Sequence, residues 1–360
     1  MRLRAAIRGT ASSSAHTCLS ALAVVALLGF SRTLLAGEYS SENSKCQRLH
    51  VVPTLRVGIT PPNACSCADR HTIVTAFFRA KFIKHTSLEY ETWNRRFLSL
   101  PDDMVIFTDS ASVSSIRKAR SKSPGCTIIV KTSLRNTELS SLVDWSSQHA
   151  KDPEKRIHTP DLYIIWNHKS LWLADVAELN PYQSSHFFWA DSGQFRDEAF
   201  INNFMTEGEK WVRNTDFLPN CTIVFISIKD FQESELFLNR RGNSQPLDSS
   251  LIRLGGGNFG GDRCALRRWK TLFIEKLKEY VASELFAGKD QPIYGSICIE
   301  HRDLCFLIEA QKVLETKDVW FAMQPVLHGS TKVVPEYVLP RQEDILPRLK
   351  NFCRQLELES

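Results

Sequence analysis

Short apolar runs alternate along this chain with longer segments in which apolar residues recur at helical spacing. We interpret six of the runs as strands, at residues 73–78, 104–108, 127–130, 162–166, 187–189 and 221–228. Helical spacing is found at residues 89–99, 136–148, 171–179, 198–212 and 264–286. This alternation predicts an α/β fold in which a mostly parallel, Rossmann-type sheet carries helices on both faces.

The longest apolar stretch lies close to the N-terminus. Residues 9–31 contain no Asp, Glu, Lys or Arg, and Arg2, Arg4 and Arg8 precede them. About 20 helical residues span the hydrocarbon core of a bilayer, so the stretch is long enough for a signal-anchor with a cytoplasmic N-terminus. Its most apolar part, residues 19–30, also has the length of a cleaved secretory signal.

Both interpretations of the N-terminal stretch place the rest of the chain in the secretory pathway. We expect a single-pass type II membrane protein of the Golgi or endoplasmic reticulum, with a lumenal domain, or a secreted protein if the segment is cleaved. The predicted organisation is a cytoplasmic tail and signal-anchor at 1–36, a stem at 37–70, the main domain at 71–330 and a C-terminal extension at 331–360.

Composition narrows the class of partner. Hydrophobic residues make up 43% of the 360-residue chain and charged residues 24%, with a net charge of +5. This is ordinary globular usage, and the charge is too small to favour nucleic acid as a partner. Nine cysteines follow Cys18, and their spacing favours disulfides over thiolate metal sites. Asn220 begins an Asn-Cys-Thr sequon, which predicts a solvent-facing glycosylation site.

Polar side chains follow three of the predicted strands. Asp109 follows the second strand, Lys169 the fourth, and Asp191 the fifth. Because catalytic groups in parallel α/β sheets gather at the carboxyl ends of the strands, these three are candidate site residues. Asp191 is a candidate ligand for Mg²⁺ or Mn²⁺. The alternative for Asp191 is a cap on the next helix.

A glycine-rich run occupies residues 255–261. Gly255, Gly257 and Gly260 satisfy the G-x-G-x-x-G spacing of dinucleotide-binding proteins. That fingerprint belongs in the first turn between a strand and a helix, whereas this run follows at least five predicted strands. We therefore interpret the run as a loop that shapes a substrate pocket.

Two further residues are candidates at the C-terminal end of the domain. Asp290 follows the glycine that ends a predicted helix and fits a helix cap, a metal ligand or a catalytic carboxylate. His328 lies in an apolar setting, where a structural role is the usual one. The chain contains no G-x-S-x-G, H-E-x-x-H or P-loop motif, which disfavours the hydrolase, zinc-protease and NTPase classes.

Taken in order, these motifs resemble the HtrL/YibB family, a branch of the GT-A-like glycosyltransferases. The resemblance extends from about Thr72 to His328 and rests on residues 72–78, Tyr90 with Trp93, 105–109, 166–169, 180–182, 187–193 with Phe195 and Arg196, 256–261 and 288–291. It implies a GT-A-like domain that binds a nucleotide-sugar donor.

The resemblance also implies roles for single residues. It places Thr75, Phe77 and Asp109 around the nucleoside, and Lys169 near the sugar or diphosphate. The loop between the donor and the acceptor would contain Gly256, Gly257, Asn258, Gly260 and Gly261.

The metal site and the base are implied in the same way. Asp191 takes the place of the metal-binding DxD motif, but Gly193 stands where its second acid is expected. Either the protein does not depend on a metal, or Mn²⁺ or Mg²⁺ is held by Asp191 with phosphate, water and His328. Asp290 would be the general base of an inverting reaction.

The predicted function is transfer of a sugar, in the hexosyltransferase class, from a nucleotide-sugar to a glycan or other hydroxyl acceptor in the secretory lumen. A cation, a lysine and a carboxylate base are sufficient for this chemistry. The missing acid at Gly193 keeps a second hypothesis open, a non-catalytic carbohydrate-binding or scaffold protein with the same fold. A third, an NAD(P)-dependent oxidoreductase, rests on the glycine run alone.

Overall fold

The computed structural model describes residues 49–53, 71–79, 86–204, 208–340 and 343–344. Eight strands in these residues form one sheet: β1 Leu49–Val52, β2 His71–Phe77, β3 Met104–Thr108, β4 Thr127–Lys131, β5 His186–Ala190, β6 Ile223–Ser227, β7 Leu254–Asp262 and β8 Cys305–Glu309. Their order is β1-β4-β3-β2-β5-β7-β6-β8. Only the two pairings of β7 among these strands are antiparallel.

The described helices are α1 Ser87–Ser99, α2 Val113–Arg120, α3 Trp145–Lys151, α4 Pro160–Leu179, α5 Glu198–Phe204, α6 Arg263–Ala282, α7 Asp290–Glu300 and α8 Met323–His328. Short 3₁₀ turns occur at Leu134–Asn136, Glu138–Ser141, Ala310–Lys312 and Val319–Phe321. The expected α/β fold with a mostly parallel sheet is confirmed.

Alternate residues of β5 belong to two hydrophobic cores, one on each face of the sheet. Phe187 and Trp189 pack in a core with residues of α4, α6 and α7. Phe188 and Ala190 pack in the other core, with residues of α1, α2 and α8. Successive side chains of a strand point to opposite faces, so β5 is covered by helices on both sides and its end is the natural place for a site.

The fourth predicted strand is wrong. Residues 162–166 lie in the first half of α4, a 20-residue helix whose first residue is Pro160. Proline is favoured at this position because the N–H it lacks would have no helical partner there. Most residues of α4 are buried, and a short apolar run in a buried helix has the same pattern as a buried strand.

The glycine run is also corrected, because it forms strand β7 and not a loop. A Cβ atom at Gly260 would collide with the carbonyl oxygen of Phe187, and one at Gly261 with that of Thr222. Glycine has a low strand propensity, but it permits close approach of neighbouring backbones. The run therefore does not form the turn that a dinucleotide fingerprint requires.

Two predicted helices are shorter than expected. Residues 136–148 contain 3₁₀ turns and only the start of α3, while α5 covers Glu198–Phe204 within the predicted 198–212. Trp211 and Val212 lie outside α5. Their backbone N–H groups donate to the carboxylate of Asp102, at 2.8 Å and 3.0 Å, and this buried acceptor holds the segment in an irregular conformation.

The predicted anchor, stem and C-terminal extension are described to different extents by the structure. The predicted anchor lies outside the described residues, and none of the described helices has the length and apolar character needed to cross a membrane. Strand β1 falls within the predicted stem and pairs with β4, so this part of the predicted stem belongs to the sheet. In the predicted extension, the backbone N–H of Tyr337 donates to Leu307 O at 2.7 Å, so this segment joins the domain.

The prediction of disulfides is confirmed. Cys221 pairs with Cys264, and Cys298 pairs with Cys305. Asn220, next to the first bridge, is exposed, as a glycosylation site must be. The glycosylation itself stays a prediction.

We expect Gly260→Ala to lower the free energy of unfolding by about 1–3 kcal/mol, because the added methyl group overpacks the contact between β7 and β5. Gly255→Ala in the same strand is the control, since a Cβ there would lie 3.5 Å from its nearest neighbour, Ile228 Cδ1. Urea unfolding of both variants measures the difference. Equal stabilities of the two variants would contradict the packing argument.

Candidate functional site

Three charged side chains from distant parts of the chain meet at the end of β5. Lys169 Nζ lies 3.1 Å from Asp191 Oδ1 and 3.7 Å from Asp290 Oδ2. The side chains of Lys169 and Asp290 are only 3% and 5% exposed, whereas that of Asp191 is 42% exposed. The structure thus brings together the three charged residues that the sequence placed nearest the reaction centre, in an arrangement with one accessible carboxylate.

Lys169 reaches this position from the middle of α4, not from the end of a strand. Its ammonium group donates to the carbonyl oxygen of Gly256 at 2.9 Å and lies 5.8 Å from the centroid of the Trp189 ring. With Asp191 and Asp290, these contacts surround the buried cation with negative or electron-rich groups. A buried charge is tolerated only when it is paired in this way.

The end of β5 fixes Asp191. The indole Nε1 of Trp189 donates to Asp191 Oδ1 at 2.8 Å, and the backbone N–H of Asp191 donates to Gly257 O at 2.9 Å. The hydroxyl of Thr75 donates to Ala190 O at 2.6 Å, directly before the acid. Asp191 is therefore held from strands on both sides of β5.

The alternative in which Asp191 caps the next helix is not supported. Helix α5 begins at Glu198, and Asp197 accepts hydrogen bonds from the backbone N–H groups of Ala199 and Phe200. The cap is thus a different acid, which leaves the carboxylate of Asp191 at the site.

Asp290 is the first residue of α7, and its carboxylate points away from solvent. The N-cap residue is Lys289, whose ammonium group pairs with Glu154 and donates to Ser249 O. A Cβ at Gly256 would lie 2.9 Å from Asp290 Oδ2, so the strand can pass this close to the acid only because residue 256 is a glycine.

Burial and the neighbouring charges set the protonation of the cluster. The pKa of Asp290 is raised to about 6, mainly by burial. The positive charge of Lys169 lowers this pKa, and the negative charge of Asp191 raises it further. Burial disfavours the ammonium form of Lys169, but the two carboxylates outweigh it and raise the pKa of Lys169. Near neutral pH the lysine is therefore charged, and Asp290 has the proton affinity that suits a general base.

The predicted donor-binding residues lie on adjacent strands. Thr75 is fully buried, and its hydroxyl donates to the carbonyl oxygen of Ala190 in β5. It therefore helps to position the end of β5 and is not itself open to a ligand. Phe77 ends β2 and packs partly buried against the second core. Asp109 follows β3 and accepts hydrogen bonds from the N–H groups of Arg79 and Ser112. Burial opposes ionisation of Asp109, but these hydrogen bonds outweigh it and lower its pKa.

The predicted pocket loop is divided by its position in β7. Gly256 lies against Asp290, and a Cβ at Gly257 would lie 3.4 Å from Asp191 Oδ2. Gly260 and Gly261 lie deeper in the sheet, against β5 and β6. Asn258 is 3% exposed, and neither polar atom of its amide has a hydrogen-bond partner among the described residues. Only the first part of the run borders the charged cluster.

His328 has other neighbours. Its Nδ1 lies 2.6 Å from Ser330 Oγ, its Nε2 lies 3.6 Å from a carboxylate oxygen of Glu209, and its ring meets Phe200 edge-on. These contacts do not join it to Asp191, and its assignment as a metal ligand stays a prediction.

The residues at the site fit a cation that is held partly by the phosphate oxygens of a substrate better than one held by protein ligands alone. Within the described ranges, groups of three or more potential ligands occur at Cys221, Asp262 and Cys264, where the cysteines form a disulfide, and at Asp152, Glu154 and His158. Asp191 is in neither group. It offers one accessible carboxylate, and Mg²⁺ is commonly held by one or two carboxylates together with phosphate oxygens.

The sequence named Tyr90, Trp93 and Arg196 as part of the family resemblance but gave none of them a role. Gly193 lies against Tyr90 and Trp93, since a Cβ there would lie 3.7 Å from each ring. The guanidinium of Arg196 lies over Trp93. One sequence pattern could have identified this group. Tyr90 and Trp93 are three positions apart on α1, which places both rings on one face of the helix.

Comparison with known proteins gives a distant likeness in structure. No protein-family model matches the chain, and no curated protein matches it. Mouse xyloside xylosyltransferase 1 is 11% identical with a TM-score of 0.36, over 66% of this chain and 84% of that one. Core-mannan synthase A from Aspergillus fumigatus, in a Mn/GDP form, is 12% identical with a TM-score of 0.38, over 75% and 79%.

A third structure is 4-diphosphocytidyl-2C-methyl-D-erythritol synthase from Anaerococcus prevotii, 13% identical with a TM-score of 0.29, over 72% of this chain and 99% of that one. Because all three TM-scores are low, the function has to be argued from the residues of this chain. The resemblance to the HtrL/YibB family stays a prediction.

We expect Lys169→Met to raise the pKa of Asp290 above about 6, because the variant removes the only positive charge that the described residues place within 4.0 Å of this carboxylate. A ¹³C carboxyl NMR titration measures the change, with Asp290→Asn to assign the resonance. Lys270→Met, which removes a cation paired with Asp175, is the control. An Asp290 pKa that stays the same or falls in Lys169→Met would contradict this electrostatic account.

Proposed function

We propose that this chain is a glycosyltransferase that moves a sugar from a nucleotide-sugar donor to a hydroxyl group of a glycan acceptor. One observation carries the proposal: a buried lysine lies between an accessible carboxylate, Asp191, and a buried carboxylate, Asp290, whose pKa is about 6. The two acids share a counter-ion but differ in exposure, which suits them to two separate tasks.

The first task is to stabilise the departing nucleoside diphosphate. Asp191 would hold Mg²⁺ or Mn²⁺ together with phosphate oxygens, and the bound ion would supply Lewis-acid stabilisation of the developing charge. Lys169 adds a fixed positive charge beside Asp191. Groups that are already oriented toward the developing charge make the largest electrostatic contribution to catalysis.

The second task is to accept a proton from the acceptor. The acceptor oxygen forms a bond to the anomeric carbon, the bond from that carbon to the phosphate oxygen breaks, and its electron pair leaves with the diphosphate. The hydroxyl proton passes to Asp290. A direct displacement of this kind inverts the anomeric configuration, and a base with a pKa near the working pH is the most effective.

The finer assignments belong to the same proposal. They are the hexosyltransferase class, dependence on Mn²⁺ or Mg²⁺, a lumenal Golgi or endoplasmic reticulum location, and an N-terminal membrane anchor. The two disulfides described above and the exposed sequon at Asn220 support a secretory location.

A donor screen tests the proposed function. The full chain is incubated with UDP-, GDP- and CMP-sugars and Mn²⁺, and release of the nucleotide is measured. We expect hydrolysis of one class of donor. Calorimetry with the free nucleotides separates the alternatives, because a scaffold protein would bind none of them and an oxidoreductase would bind NAD(P) instead.

We expect Asp191→Ala to abolish cation-dependent turnover while the circular dichroism spectrum stays unchanged, because the half-exposed side chain contributes little packing. Asp303→Ala, which removes an exposed carboxylate paired with Arg268, is the matched control. Full Mn²⁺-dependent activity in Asp191→Ala would show that the ion is held elsewhere.

We expect Asp290→Asn to lower transfer by about 10²- to 10⁴-fold, the usual range for a general base, with nucleotide binding preserved. In the wild type, kcat/KM should rise with pH through about 6, because only the ionised carboxylate accepts the proton. The residual rate of the variant should lack this pH dependence. Weakened nucleotide binding in Asp290→Asn would place the residue in the donor site.

A further inference from the structure

An arginine and three aromatic side chains pack together beside Asp191, and the proposed reaction gives them no part. We call Tyr90, Trp93, Arg196 and Phe321 the aromatic–arginine cluster. The rings of Tyr90 and Trp93 meet edge-on with centroids 5.4 Å apart. The guanidinium carbon of Arg196 lies 4.4 Å from the centroid of Trp93 and 5.4 Å from that of Phe321.

These contacts fix the position of the Arg196 guanidinium. Its Nε donates to the carbonyl oxygen of Gly193 at 2.9 Å, and the rings of Trp93 and Phe321 attract its charge through cation–π contacts. The residue is nevertheless exposed. A cation that is both held in place and exposed loses little conformational freedom when it binds an anion.

The cluster borders the candidate metal ligand. Gly193, which binds Arg196 through its carbonyl group, is two residues from Asp191 and lies against Tyr90 and Trp93. The Tyr90 phenol senses both charges: burial raises its pKa, Arg196 lowers it and Asp191 raises it. Arg196 and Asp191 therefore both act electrostatically on the same hydroxyl group.

The charges at the site leave a role for another cation. The described cluster has one lysine for two carboxylates, and Gly193 brings no second acid to hold a divalent ion. A diphosphate carries several negative charges, which Lys169 alone does not balance. Arginine binds phosphate oxygens with two parallel hydrogen bonds and keeps its charge at any working pH.

We propose that Arg196, a positively charged residue beside Asp191, binds the negatively charged diphosphate of the donor. The inference rests on the proposed function, because it requires a nucleoside diphosphate at this end of β5. In a site with two metal-binding acids, the bound ion would stabilise the charge of the diphosphate. Here Arg196 contributes part of that stabilisation. The contacts with Trp93 and Phe321 hold the guanidinium in place for this role.

Calorimetric titration of the full chain with UDP and UMP, with GDP and GMP, and with CMP tests this inference with and without Mn²⁺. In Arg196→Ala we expect diphosphate affinity to fall about 10- to 100-fold, the range for a lost charged hydrogen bond, with monophosphate affinity changed little. Arg196→Lys should restore only part of the loss, since an ammonium group cannot make the paired contact.

Arg268→Ala removes an exposed arginine paired with Asp303 and is the control for loss of surface charge. Thermal melting of Arg196→Gln, which keeps a flat polar group over Trp93, shows whether the cluster still folds. A purely structural role would not change the ratio of diphosphate to monophosphate affinity.

The outcomes separate the two proposals. If the wild type binds a diphosphate and Arg196→Ala binds it equally well, the inference fails and the proposed function stands. If the wild type binds CMP but neither diphosphate, the donor has no diphosphate and the inference again fails. If it binds no nucleotide, both proposals fail.

Discussion

The site depends on keeping the ammonium group of Lys169 charged although it is buried. Removing an ion from water costs several kcal/mol even in a relaxed protein, so Lys169 requires the carboxylates at 3.1 Å and 3.7 Å. Those acids follow β5 and begin α7, while the lysine comes from the middle of α4. The ion pairs thus join three elements of the fold, and loss of Lys169 would leave the buried carboxylate of Asp290 without its counter-ion.

Strand β7 makes this meeting possible. It is the antiparallel strand between β5 and β6, and its glycines let neighbouring groups approach its backbone. Gly256 contributes a carbonyl oxygen to Lys169 and leaves room for Asp290, while Gly257 accepts a hydrogen bond from the backbone of Asp191. Gly256 and Gly257 therefore form one side of the site, and they can do so because they have no side chains.

Most of the sheet could be predicted from the sequence, because buried strands such as β3 and β5 are short apolar runs bounded by polar residues. The site was predicted less evenly. Asp191 could be found because it directly follows a strand, whereas Lys169 was placed on the wrong element, since a buried helix and a buried strand share one pattern over five residues. Strand β7 could not be found, because its pairing depends on neighbours distant in sequence that override the low strand propensity of glycine.

The different surroundings of Asp191 and Asp290 explain why one cluster can perform two tasks. Both acids face the same lysine, so Lys169 alone does not distinguish them. Exposure does: Asp191 is 42% exposed and can meet a solvated cation, whereas Asp290 is 5% exposed and burial raises its pKa to about 6. A buried acid whose pKa is raised in this way is suited to carry a proton. In the proposed reaction, the depth of each acid, set by β5 and α7, therefore decides which task it takes.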